Sequence, residues 1–118
     1  MPIDSSSPAN VLTLQMSASE DANVVRCTGR LNIETAPLLK TEVKPLLLPR
    51  RRVILDLTDL THMDSAGLGA LVGLYISAKS AGCELELVNL TPRIRELLSM
   101  TNLLSLFEHC GRVGGHIS

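Results

Sequence analysis

The sequence predicts an α/β fold, a single domain in which helices pack on a mixed sheet of four to five strands. Its 118 residues are 45% hydrophobic and 19% charged, a composition that supports one globular core. Short apolar segments of strand length alternate with longer segments whose apolar residues recur every three to four positions. The first two strands follow each other directly, whereas helices separate the later ones. The predicted order is therefore β-β-α-β-α-β-α, an antiparallel hairpin followed by parallel crossovers.

The chain opens with a predicted β-hairpin. Residues 11–16 alternate apolar and polar side chains, which is the period of a half-buried strand. Residues 21–23 have the composition of a turn, and residues 24–28 form the partner strand. We expect that strand to end at Gly29.

The first helix is predicted to begin beside Asn32 and to end before Pro49. Asn32 is a favourable N-cap residue, and Pro37 suits the first turn of a helix. The apolar face of this helix comprises Leu38, Leu39, Val43, Leu46 and Leu47.

The central segment contains a strand, a polar turn and a second helix. Residues 53–57 are an apolar strand, and the turn after it displays Asp64 and Ser65. The helix that follows ends near Ala81, and Gly82 is a suitable residue just past its end. Its buried face comprises Leu68, Leu71, Val72 and Tyr75, at positions i, i+3, i+4 and i+7.

The last predicted elements are a strand over residues 84–90 and a third helix. Thr91 is an N-cap, and Pro92 at the first helical position strengthens that prediction. Residues 107–110 form a short further strand in this scheme. The inner face of the third helix comprises Ile94, Leu97, Leu98 and Leu104.

The two ends of the chain differ in composition from the rest. We expect residues 1–10, which are rich in Ser and Pro, to be a flexible leader and residues 111–118 to be a flexible tail. Residues 11–110 are then the folded domain.

Composition and charge argue against several classes of partner. Aromatic residues make up 2% of the chain, too few for stacking on single-stranded bases. Eleven Lys+Arg against twelve Asp+Glu give a net charge of −1, so no broad basic field is available for nucleic acid or anionic lipid. We expect no nucleic acid partner, no direct membrane insertion, and a monomer or weak dimer.

The cysteines and the start of the chain indicate the compartment. Cys27, Cys83 and Cys110 are odd in number and form no CxxC pair, which favours reduced thiols over disulfides or zinc. Residues 1–10 lack the basic and apolar blocks of a signal peptide, and no apolar run has membrane-spanning length. The sequence predicts a cytoplasmic protein with no metal and no cofactor.

Asp64 and Ser65 are the residues that matter most for function. They lie where a helix begins, and the unpaired N–H groups and the helix dipole favour an anion at that position. Either side chain can cap the helix, or the serine can carry a phosphate. The residues alone leave both interpretations open.

Three enzyme-like interpretations of the same segment are weaker. Gly67, Gly69 and Gly73 form a GxGxxxG pattern, but residues 58–67 separate it from the end of the predicted strand, unlike a dinucleotide site. We expect these glycines to allow close helix–sheet packing instead. A serine nucleophile elbow needs glycine where this chain has Met63, and His62 with Asp64 lacks a third metal ligand. No enzyme activity is predicted.

Three segments resemble the STAS domain of bacterial anti-sigma-factor antagonists: TGRLN, VILDLTDLTHMDSAGLG and VNLTPRIRELLSMTNLLSLF. The resemblance covers about residues 11–110. It implies a STAS-like fold and a protein that binds a kinase-type anti-sigma factor, so that a sigma factor is released. It further implies that this partner phosphorylates Ser65 and ends binding, and that a Ser/Thr protein phosphatase restores it.

The resemblance also implies a partner-binding surface around the acceptor serine. Two positions depart from the common family pattern: Ala66 follows the acceptor where many members have Ser or Thr, and Asn32 stands where partner-binding members often have Asp. The residues expected to bind the partner are Asn32, Thr61, His62, Met63, Asp64, Ala66, Gly67 and Leu68.

A second role remains open within the same family. STAS domains also act as non-switching scaffolds, as partner subunits of stress-signalling complexes or of ABC-type lipid transporters. In that case Ser65 is only part of a helix cap.

Overall fold

The computed structural model describes residues 11–19 and 22–103, which form one mixed sheet with three α-helices. The strands lie in the order β1-β2-β3-β4; β1 and β2 are antiparallel, and the other neighbours are parallel. This confirms the predicted fold class and element order. The elements are β1 (Leu12–Ala18), β2 (Ala22–Leu31), α1 (Ala36–Val43), β3 (Arg52–Met63), α2 (Ser65–Ala81), β4 (Glu84–Val88) and α3 (Pro92–Met100).

Several sequence predictions fall outside the described residues. These are the leader over residues 1–10, the strand over residues 107–110 and the tail over residues 111–118. Asp21 of the predicted turn and Leu104 of the third helix lie outside them as well.

Strand β2 is longer than the sequence predicts. Ala22 and Asn23 were expected in a turn, but they pair with Arg52 and Val53 at the start of β3. The strand also continues through Gly29, whose φ of 114° suits only glycine. A Cβ atom there would collide with the carbonyl oxygen of Val11. A strand paired on both sides gains hydrogen bonds that its own sequence pattern does not reveal.

Strand β3 also runs further than expected, from Arg52 to Met63. Residues 58–63, predicted as a polar turn, stay in the sheet because they pair with β2 up to the contact between Leu31 and Met63. The GxGxxxG pattern therefore lies only a short turn after the strand. The argument that a long gap separates them was wrong.

Helix α1 is shorter than predicted and ends at Val43. A 3₁₀ turn, Lys44–Leu46, follows it, because Pro45 has no N–H with which to continue the α-helical ladder. Leu39 is fully buried, but Leu38, predicted on the same apolar face, is 41% exposed.

The other boundaries are closer to the predictions. Helix α2 ends at Ala81, and Gly82 adopts a left-handed φ of 76° as expected. Strand β4 ends at Val88, two residues early, because Asn89 takes a φ of 59° that a strand does not accommodate. Thr91 accepts a hydrogen bond from the Ile94 N–H at 3.3 Å, which confirms the predicted cap of α3.

One hydrophobic core joins the sheet to the helices. A register shift between β2 and β3 gives β3 an extra residue, so Leu57 and Leu60 both point inward. Helix α2 lies across β3 and β4 and also contacts α1. Fully buried residues include Val25, Leu31, Leu39, Val53, Leu55, Leu57, Leu60, Leu71, Leu74, Leu87 and Leu98.

Candidate functional site

The hydrogen bonds of the turn between β3 and α2 show which residue caps the helix. Asp64 is the N-cap, and its Oδ1 accepts a hydrogen bond from the Gly67 N–H at 3.0 Å. Ser65 is the first residue of the helix and is exposed. Among the described residues, no side-chain hydrogen bond of Ser65 is formed. Because Asp64 performs the capping, the Ser65 hydroxyl is available for other chemistry.

Gly67 holds this turn close to the end of β2. A Cβ atom at Gly67 would lie 2.5 Å from the carbonyl oxygen of Leu31 and 2.8 Å from its Cγ. The Asp64 N–H donates to the same carbonyl at 3.2 Å. The expectation of close packing is therefore correct at Gly67. It is wrong at Gly69 and Gly73, where an added Cβ meets no described atom within 4 Å.

Asn32 caps the turn that leads into α1, as its residue type predicts. Its Oδ1 accepts hydrogen bonds from the N–H groups of Glu34 at 2.9 Å and Thr35 at 3.1 Å, and its carbonyl oxygen accepts from the Ala36 N–H at 2.8 Å. The regular helix begins only at Ala36, with Thr35 at its boundary, because Pro37 has no N–H with which to continue the ladder from this turn. Asn32 is also buried. These are the hydrogen bonds of an N-cap residue, whose side-chain oxygen accepts from the otherwise unpaired N–H groups of the first turn.

Thr35 completes the same turn. Its Oγ1 accepts from the Asn32 N–H at 2.9 Å and donates to the carbonyl oxygen of Arg30 at 2.8 Å. The turn therefore has a fixed shape, and it presents Ile33 with 73% of its surface exposed. Ile33 was not among the site residues predicted from the sequence. The signal that could have indicated it is an isolated apolar residue between two polar turn residues.

The remaining predicted site residues divide into exposed and supporting groups. Thr61 is exposed, and its hydroxyl donates to the carbonyl oxygen of Gly29 at 2.9 Å. His62, Asp64 and Ala66 are partly exposed. The supporting group, which is buried beneath the turn, comprises Met63, Gly67 and Leu68.

An open groove adjoins the turn on the side of α1. It was not predicted, because it combines residues far apart in the sequence. Its lining consists of Ile33, Ala36, Pro37, Lys40, Thr41, Lys44 and Ala66.

The Cys27 thiol and the possible metal ligands are the other groups that could carry chemistry among the described residues. Burial, and to a lesser extent the charge of Asp56, raise the pKa of the Cys27 thiol to about 12, so this thiol is not a reactive nucleophile. No group of three or more His, Cys, Asp or Glu side chains within residues 11–19 and 22–103 is placed to hold a metal ion. Among the described helices, none is long and apolar enough to cross a membrane.

The fold and the site together define a small α/β domain that presents an exposed serine at the start of a helix. The chain belongs to the STAS family, because the STAS domain model matches residues 13–115. This confirms the resemblance seen in the sequence.

Two proteins similar to this chain carry the name anti-sigma-B factor antagonist. An anti-sigma-B factor antagonist of Bacillus subtilis is 27% identical over 106 residues, which are 90% of this chain and 97% of that protein. An anti-sigma-B factor antagonist of Listeria monocytogenes is 33% identical over 81 residues, which are 68% of this chain and 71% of that protein.

The solved structures of one relative share the fold. The anti-sigma factor antagonist SpoIIAA, in its unphosphorylated form, superposes with a TM-score of 0.66 at 20% identity, over 79% of this chain and 84% of that one. The phosphorylated form of SpoIIAA from Bacillus gives a TM-score of 0.64 at 18% identity, over 80% and 87% of the two chains.

Proposed function

We propose that this protein is an anti-sigma-factor antagonist whose activity is switched by phosphorylation of Ser65. In its unmodified form it binds a kinase-type anti-sigma factor in the cytoplasm, and the sigma factor held by that partner is released. The observation that carries the proposal is the division of roles at the start of α2. Asp64 caps the helix, and Ser65 is exposed beside it.

The modification is a phosphoryl transfer carried out by the partner. The Ser65 oxygen attacks the γ-phosphorus of ATP bound to the kinase, and the bond from that phosphorus to the β–γ bridging oxygen breaks. ADP leaves, and the hydroxyl proton passes to a base on the kinase. A Ser/Thr protein phosphatase hydrolyses the phosphoserine and restores the hydroxyl. The protein itself is a substrate and a binding partner in this cycle.

The charge of the phosphate explains why modification ends binding. A phosphoserine carries about −1.5 to −2 charges, and the helix N-terminus stabilises that charge locally. The partner surface, however, must exclude water from it, and Asp64 adds a like charge at the adjacent position. We therefore expect phosphorylation to block the interface while the fold stays intact.

The test compares three baits in lysate of the native cell: wild type, Ser65→Ala and Ser65→Asp. We expect wild type and Ser65→Ala to retain a kinase-type anti-sigma factor, identified by mass spectrometry, and Ser65→Asp to lose it. Ser80→Asp is the matched control, because Ser80 is an exposed serine near the other end of α2. It should bind as wild type does.

The opposite result has an equally clear meaning. A set of captured proteins that does not change with residue 65 would contradict the switch. If that set contained transporter subunits or a stress-signalling complex, the domain would act as a scaffold.

A further inference from the structure

The groove between α1 and the first turn of α2 has a composition that points to a particular kind of partner. Its apolar surface comes from Ile33, Pro37 and Ala66, and its charge comes from Lys40 and Lys44. Among the described residues, no acidic side chain lines it. It is therefore a concave, partly apolar surface with positive charge at one side.

The two lysines have no counter-charge of their own within the described residues. The ion pairs found there involve Arg26 and Arg52, and neither Lys40 nor Lys44 takes part. Both lysines are exposed, and their spacing of four residues places them on the same side of α1 and its 3₁₀ extension. Two neighbouring cations that form no ion pair with another described residue favour an anionic ligand.

The groove is continuous with the site of the proposed function. Ala66 directly follows Ser65, and Ile33 is presented by the Asn32 turn, so both sites meet at the start of α2. A stable protein interface buries about 800 Å² on each partner, from roughly 20–30 residues. The few exposed residues of the Ser65 turn cannot supply that area alone. A partner that covers Ser65 therefore extends onto neighbouring surface, and the groove is concave surface next to it.

We propose that the groove seats an acidic segment of the anti-sigma factor, a proposal that rests on the function inferred above. Carboxylates of that segment pair with Lys40 and Lys44, and an apolar side chain packs against Ile33 and Ala66. An acidic peptide fits better than a nucleic acid, because two lysines in a chain of net charge −1 form no extended phosphate-binding track. The groove supplies specificity for the partner, while Ser65 supplies the switch.

The test is a pair of charge-reversal variants with the same change in net charge. Lys40→Glu/Lys44→Glu reverses the charge of the groove, and Arg50→Glu/Lys79→Glu reverses two exposed cations near the C-terminal end of α2, which do not line the groove. Each Lys or Arg to Glu change alters the charge by −2, so both double variants move from −1 to −5. The probe is the purified anti-sigma factor that wild type retains and Ser65→Asp does not. Its affinity is measured by calorimetry at low and high salt.

We expect the groove variant to bind about 10- to 100-fold more weakly than wild type at low salt, with a smaller difference at high salt. The matched control should stay within about 3-fold of wild type, since rim charges outside an interface contribute little. Circular dichroism and a thermal melt verify that both variants remain folded. Lys40→Gln/Lys44→Gln, which removes the charges without reversing them, should lose less affinity than the Glu variant.

The outcomes separate the groove from the switch. If Ser65→Asp abolishes binding but the groove variant binds within about 2-fold of wild type, the groove proposal is overturned and the proposed function stands. Equal losses in the groove variant and the control would also overturn it, because the effect would then be one of net charge. If no anti-sigma factor binds wild type, the proposed function fails, and the groove proposal fails with it.

Discussion

The first turn of α2 and the rest of that helix use glycine for different reasons. Gly67 is buried, and any side chain there would collide with Leu31 on β2. Gly69 and Gly73, which continue the same sequence pattern, face open space as far as the described residues extend. A single motif thus contains one position where packing requires glycine and two where it does not.

This difference shows that a glycine pattern carries little meaning until its neighbours are known. At Gly67 the absence of a side chain brings the α2 N-terminus against the end of β2, which fixes where Asp64 and Ser65 lie. At the other two positions glycine weakens the helix and gains no contact among the described residues. The comparison can be tested by giving each position the same extra methyl group.

The largest effect is expected for Gly67→Ala. The backbone oxygen of Leu31 cannot move aside as a flexible side chain would, so the helix start must shift away from β2. We expect a loss of about 1–3 kcal/mol in the free energy of unfolding, measured by urea denaturation. Gly69→Ala, the same change two residues further on, is the control. If both variants changed stability in the same direction and by the same amount, the contact with Leu31 would be unimportant.

The parts of the fold that the sequence predicts well are those fixed by local chemistry. The end of α2 at Gly82 and the cap of α3 at Thr91 depend on single residues with strong conformational preferences. The order of the elements follows from periodicity along the chain. These features need no knowledge of distant contacts.

The missed features all depend on pairing or packing between distant segments. Residues 58–63 contain enough polar side chains to resemble a turn, but their backbone pairs with β2. Ile33 follows Asn32 as a single apolar residue, but its exposure depends on the turn that Thr35 and the end of β2 complete. The groove exists only because α1 and the start of α2 lie side by side. A local pattern cannot report such contacts.

A smaller effect is expected at the cap itself. Asp64→Ala removes the acceptor for the Gly67 N–H and should lower the free energy of unfolding by about 1 kcal/mol. Asp64→Asn is the matched control, because asparagine caps about as well as aspartate and should be nearly neutral. Thermal denaturation of the three proteins measures the difference. If Asp64→Ala were as stable as wild type, the neighbouring Ser65 hydroxyl would have taken over the cap, and its availability for phosphorylation would need to be reconsidered.

The smallest effects, and the only stabilising ones, are expected from Gly69→Ala and Gly73→Ala. Alanine is favoured over glycine inside a helix by about 0.8–1.0 kcal/mol, and at these positions its methyl group meets no described atom. Each variant should therefore raise the free energy of unfolding by up to about 1 kcal/mol in chemical denaturation. Gly67→Ala, with its opposite sign, serves as the reference within the same helix. A loss of stability at Gly69 or Gly73 would instead mean that another part of the chain packs against this face of α2. That face would then have a packing role like the one found at Gly67.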